Sequence, residues 1–152
     1  MRYELRVEPE FDRPLDFPPL DLHDAGDGHL LMSPKLVKCF RAAGVDNIQF
    51  FPGEAIYLPS RDAYSYQVAN IVGLVKALDV EDSDCEVDED GFVEMFYTLR
   101  LDREAVEPFD LFRMFESFHT IIVSSRVRLM LESHGITGVR FVGEEDWEPG
   151  TL

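Results

Sequence analysis

The chain has 152 residues and a formal charge of −16, from 30 acidic against 14 basic side chains. That length fits one ordinary domain, able to bury about 68–70% of the surface its unfolded chain exposes. Hydrophobic residues at 45% and charged residues at 29% exclude a disordered composition. The acid excess argues against nucleic acid, which is gripped by Lys and Arg, and against anionic membranes.

A basic protein partner suits this charge, which would steer its approach, although solubility alone would also account for it. No apolar run approaches a membrane span, and the N-terminal MRYELRVEPEF has no apolar stretch of the secretory kind. Cys39 and Cys85 are far apart and outside any CxxC pattern, so both are expected as free thiols in a reducing, cytoplasmic setting.

In chain order, Tyr3, Leu5 and Val7 alternate and predict a short strand. Pro9, Pro14, Pro18 and Pro19 then make residues 1–28 an extended segment. LLMSPKLVKCFRAAGVDNIQFF, residues 30–51, predicts strand, helix and strand. Ser33 is the N-cap and Pro34 stands at the first helical position, where its missing N–H costs nothing. Leu36, Cys39, Phe40 and Ala43 make the apolar stripe, and Gly44 ends the helix. YSYQVANIV, residues 64–72, predicts a strand with Tyr64, Tyr66, Val68, Asn70 and Val72 on one face. Residues 79–90, DVEDSDCEVDED, read as an acidic loop, a long antiparallel connection to the next strand. FVEMFYTLRL, residues 92–101, places Val93, Met95, Tyr97, Leu99 and Leu101 on one face. Residues 109–118, FDLFRMFESF, fit a helical turn or a strand. The end from Glu144 is acidic and expected to be loose.

IIVSSRVRLMLESHGITGVRF, residues 121–141, echoes residues 30–51. Moved along by 91 positions, Ser33 falls on Ser124, Gly44 on Gly135 and Phe50 on Phe141. Leu36, Cys39 and Phe40 fall on Val127, Met130 and Leu131, and Lys35 on Arg126. The shared features are a strand, a Ser cap, a helix, a Gly stop and a strand. The expected fold class is therefore α+β in a single domain, with two similar strand–helix–strand units flanking an antiparallel strand region. Ser33, Gly44, Ser124 and Gly135 are read as structural.

The candidate chemistry is thin. Ser124 and Ser125 lack the GxSxG elbow of a nucleophile. His134 stands where the first copy has Ala43, which suits a helix C-terminus or a solvated face. Asp21, His23, Asp24, Asp27 and His29 offer carboxylate and imidazole to a divalent metal, but at no established spacing. An EF-hand frame through Asp88, Asp90 and Gly91 fails at its twelfth position, Tyr97. Cys39 lies on the core stripe, and Cys85 among carboxylates that dull its reactivity. No phosphate-binding glycine loop is present. Neither a catalytic constellation nor a cofactor site is assembled, so the pattern is that of a binding protein.

VDNIQFFP (45–52), Tyr66 to Val72, the ALD of 77–79 with Ser83, LFRM (111–114), IIVSSRVRLML (121–131) and GITGVRF (135–141), in this order, resemble immunity-protein family 11 of bacterial polymorphic-toxin systems. The resemblance covers residues 30–143. It implies a cytoplasmic protein that binds and neutralises a toxin delivered by neighbouring cells, with no catalysis and no cofactor. The expected division is an extended segment at 1–28, an immunity-like domain at 29–143 and an acidic tail at 144–152. The expected toxin-facing residues are Asp82, Asp84, Glu86, Asp88, Glu89 and Asp90, facing a basic toxin. The alternatives are a metal-dependent enzyme using the Asp21–His29 cluster, and an adaptor with no toxin partner.

Overall fold

The computed structural model describes residues 2–5, 20–24, 29–57 and 61–149. The proline-bearing stretch at 6–19, with Val7, and residues 25–28, with Asp27, lie outside these. The class is α+β. The chain groups into two compact units, Met1–Ile71 with Leu129–Val139, and Val72–Arg128 with Arg140–Leu152.

The first unit contains β1 (Arg2–Leu5), β2 (Leu22–Asp24), β3 (Leu30–Met32), α1 (Pro34–Ala42), β4 (Ile48–Tyr57) and β5 (Asp62–Ile71). Their sheet has the order β1-β4-β5-β3-β2. It is antiparallel apart from the β1–β4 pair. The long β4–β5 hairpin runs in register from Ile48 opposite Ile71 to Tyr57 opposite Asp62. Leu31, Ala55, Tyr66 and Val68 form one buried cluster. The alternation of β5 is not kept to its end. Asn70 and Val72 are exposed, whereas Ala69 and Ile71 are buried. The covered face of β5 switches there, with α1 packed against β3 and β5.

Helix α1 forms where Ser and Gly bracket an apolar stripe. The Ser33 hydroxyl accepts the Leu36 N–H at 3.1 Å, and Leu36, Val37, Cys39 and Phe40 are buried. At the other end Gly44, at φ +73°, lets its N–H reach the Arg41 carbonyl and the Val45 N–H reach Phe40. Those two hydrogen bonds are the Schellman closure.

The second unit contains β6 (Leu74–Val75), β7 (Cys85–Val87), β8 (Val93–Phe96), α2 (Arg103–Val106), β9 (Leu111–Met114), β10 (Ile121–Val123) and the start of α3 (Ser125–Ser133). The ambiguous aromatic stretch is thus a strand, β9. The sheet order is β10-β9-β6, and β7 and β8 make a separate hairpin. Ala77, Leu78, Phe96, Leu99, Phe112 and Met114 form its core.

Three expectations change here. The acidic stretch does not join β5 to β8; it contains β7, which pairs with β8. The strand expected over 92–101 stops at Phe96, where the chain bends, leaving Met95 and Tyr97 exposed and Phe96 and Leu99 in the core. The bulge between Glu86 and Val87 shifts the hairpin register, and so inverts the expected face. The acidic end is held. The Glu144 carboxylate accepts the Leu101 N–H at 3.0 Å and pairs with Arg103. Trp147 stacks on Phe96 with centroids 4.8 Å apart. Trp147→Ala is expected to cost about 2 kcal/mol, read as a lowered urea midpoint. An unchanged midpoint would show that this stacking contributes nothing.

The echo between the two helical segments is also revised. α3 closes like α1, with Gly135 at φ +56°, its N–H on Glu132 and the Ile136 N–H on Leu131. But Val139–Phe141 forms no strand. The repeated part precedes the helix instead: in each copy an antiparallel strand pair, β2–β3 or β9–β10, leads directly into the capping serine.

Candidate functional site

Each strand pair begins with an Asp–Leu dipeptide, Asp21–Leu22 and Asp110–Leu111, and each of these aspartates holds the serine that follows the pair. The Ser33 backbone N–H donates to the Asp21 carbonyl at 2.8 Å and its hydroxyl to the Asp21 carboxylate at 2.6 Å. The Ser124 N–H donates to the Asp110 carbonyl at 2.9 Å and its hydroxyl to the Asp110 carboxylate at 2.5 Å. A cation two residues past each serine completes the set: Lys35 on Asp21 at 3.4 Å, and Arg126 on Asp110. With its proton given to the carboxylate, the serine oxygen faces the helix N–H groups as an acceptor, and the negative charge lies by the helix N-terminus. Ser124 Oγ accepts the Val127 N–H at 3.3 Å. It is a cap, and the carboxylate beside it serves as the acceptor that orients the hydroxyl. Arg126 first, then Ser124, holds the Asp110 carboxyl below the usual range.

Asp21 is therefore not free to bind a metal. It is buried, and besides Ser33 and Lys35 it accepts the Thr137 N–H at 3.0 Å and the Thr137 hydroxyl at 3.2 Å. Burial pushes its pKa up, but Ser33, Thr137 and Lys35 together outweigh this and hold it low. His23 lies edge-on to Tyr66 at 5.6 Å, and its Nε2 has no hydrogen-bond partner. Burial lowers the His23 pKa. Burial, with the charges of Asp21 and Tyr64, pushes the Tyr66 hydroxyl up to about 12. Asp24 and His29 are exposed. Among the described residues, no three of His, Cys, Asp and Glu come together as a metal site. His134 is exposed, and its Nδ1 lies 2.9 Å from the Met130 carbonyl at the end of α3. Cys39 is buried, and Cys85 is half-buried with its thiol 3.8 Å from the Val80 carbonyl.

The six carboxylates on and around the β7–β8 hairpin differ in role. Asp88 is half-buried and builds the turn, its Oδ1 accepting the N–H groups of Asp90 at 2.9 Å and Phe92 at 2.8 Å. Asp82, Asp84, Glu86, Glu89 and Asp90 are exposed. Glu86 accepts the Tyr97 hydroxyl at 2.5 Å, and that bond, with the carboxylate's charge, raises the Tyr97 pKa. Apolar groups unforeseen from the sequence share this unit. Phe92 and Phe115 are each more than 40% exposed, and the Lys76 Nζ lies 5.5 and 5.2 Å from their ring centroids. Met95 and Tyr97 are exposed beside Glu86. Strict alternation hides these side chains, because it assumes a strand that continues past Phe96.

A groove of about 740 Å³ opens elsewhere in the second unit, between β10 and the Arg103–Phe109 segment. Its walls include Leu101, Val106 and Ile122, with Glu104 exposed on α2 and Glu107 exposed just after it. No helix among the described residues is long and apolar enough to cross a membrane. No curated protein matches the chain. The model of the Immunity protein family (Imm11) matches residues 2–145, taking in the N-terminal segment as well as both helical copies, and the chain belongs to that family.

Proposed function

We propose that this protein neutralises a bacterial toxin by stoichiometric binding in the cytoplasm, without catalysis, and that the toxin is a basic protein of a polymorphic-toxin system. Family membership supports an immunity role and, in general, a toxin partner. The observation that carries the finer reading is the β7–β8 hairpin. It holds Asp82, Asp84, Glu86, Glu89 and Asp90 in solvent on a scaffold fixed by the Asp88 turn. Such a surface steers a basic partner and lies beside exposed aromatic side chains suited to an interface centre.

Growth of cells expressing the toxin of the same locus tests the role. The toxin alone should arrest growth, and this protein should restore it. A toxin harmless by itself, or one that this protein fails to counter, rejects the reading. The steering part has its own measurement. Replacing Asp82, Glu86, Glu89 and Asp90 together by their amides should lower the association rate about tenfold or more at low salt and flatten its dependence on ionic strength. Asp88 is left in place because the turn depends on it. Unchanged association kinetics would remove the hairpin from the interface.

A further inference from the structure

β3 and β10 occupy the same place in the two copies: each is the strand that runs into the capping serine, Ser33 or Ser124. β3 has a neighbour on both sides, β2 and β5. Among the described residues β10 pairs only with β9 and forms the sheet edge. The direction of its free groups follows from the register. Ser124 donates to Asp110, and Thr120 accepts from Met114. Alternation then makes Ile122–Phe112 a hydrogen-bonded pair, and turns the N–H and C=O of Ile121 and Val123 away from β9. The same alignment puts Ile121 and Val123 where β3 has Leu30 and Met32, which pair with Ala69 and Gln67 of β5. The outward groups of β10 face the groove. Ile121, Ile122 and Val123 all line it and all three are half-buried, which fits a cavity along the strand's edge.

We propose that the groove is a strand acceptor: an extended segment of the toxin adds antiparallel to β10, in the place that β5 takes beside β3. The main-chain groups of Ile121 and Val123 would bind its backbone, and Leu101, Val106 and Ile122 would take an apolar side chain. The charged lining, Glu104, Glu107 and Glu144 against Arg103 and Arg128, is net negative and favours a basic segment over an acidic one. The proposal rests on the toxin-binding reading and adds a second contact surface to the acidic hairpin.

The edge geometry supplies a selective variant. Val123→Pro removes an outward N–H, along with the valine side chain, and keeps the β9 pairing, since proline is tolerated on an edge whose N–H faces away from the sheet. The probe is the purified toxin domain of the same locus. Folded V123P should bind it about tenfold more weakly than the wild type. Hydrogen exchange on the unmodified complex gives a readout that does not depend on the variant folding. The Ile121 and Val123 amides, exchanging freely in the isolated protein, should be protected in the complex. Unprotected amides, or V123P binding within about twofold of wild type, overturn the proposal. If the hairpin amide variants slow association while these amides stay unprotected, the function reading stands and the strand acceptor falls. A wild-type protein that does not bind the toxin at all defeats the function reading, and this proposal with it.

Discussion

Asp21→Ala is expected to destabilise the protein by about 3–4 kcal/mol, because a buried, hydrogen-bonded charge is removed and its donors are left behind. The Ser33 hydroxyl, the Thr137 N–H and the Thr137 hydroxyl each lose an acceptor, and Lys35 loses its counter-ion. The loss should appear in thermal unfolding as a drop of about 6–16 °C, given roughly 2–4 °C per kcal/mol at this size. The pH dependence has a definite sign. The folded-state pKa of Asp21 lies below its ordinary value. Its contribution is therefore complete above the unfolded carboxyl pKa of roughly 4, and is lost as pH falls through the lower folded value. Asp110 has the same sign, held low by Arg126 and Ser124. Wild-type stability should fall steeply below about pH 4, and in Asp21→Asn that fall should be shallower. A variant as stable as wild type at pH 7, or with the same acid limb, would mean that the carboxylate does not hold these elements together.

The Asp21 arrangement also explains what could be read from the sequence. Ser33 and Gly44 announce helix ends because the residue type carries the geometry: a short hydroxyl acceptor, and a backbone free to take φ +73°. α1 follows from its stripe, and β5 from its alternation, up to the point where α1 covers the second face. The repeat was visible at the helix but misassigned around it. Its other mark, Asp–Leu at 21 and 110, stands 12 and 14 residues before the serine, so a single fixed offset passes over it. Asp21 then reads as one ligand of a polar cluster, when its partners come from two distant stretches, Ser33 with Lys35 and, far along the chain, Thr137. Those contacts depend on strand pairing, which composition does not reveal. The β7–β8 hairpin was hidden for a related reason. Eight carboxylates within residues 79–90 mask the short run Cys85–Val87, and the bulge at Glu86/Val87 breaks the period that would have shown which face turns inward. The acidic residues themselves were legible as a surface; the exposed Phe92, Met95 and Tyr97 beside them were not.

Gly138→Ala is expected to be as damaging as the loss of Asp21, through a different physical cause. Gly138 has φ +80°, and a Cβ there would lie 2.2 Å from the Leu22 carbonyl oxygen and 3.0 Å from Leu20 Cβ. The first of these is backbone, which no rotamer change relieves. The segment must move, although Thr137 beside it accepts the Leu22 N–H at 3.1 Å and donates to Asp21. Strain at positive φ and overlap with β2 together should cost about 3 kcal/mol or more. Gly44 separates the two causes. It has a similar φ of +73°, with no atom within 4 Å of a Cβ, so Gly44→Ala should cost only about 1–2 kcal/mol. Urea unfolding of both variants measures the difference. Equal losses would show that the close approach of Gly138 to β2 is unimportant. A loss confined to Gly138→Ala beyond the shared strain would place this glycine with Asp21 and Thr137, as a residue retained because the turn after α3 lies against the edge of β2.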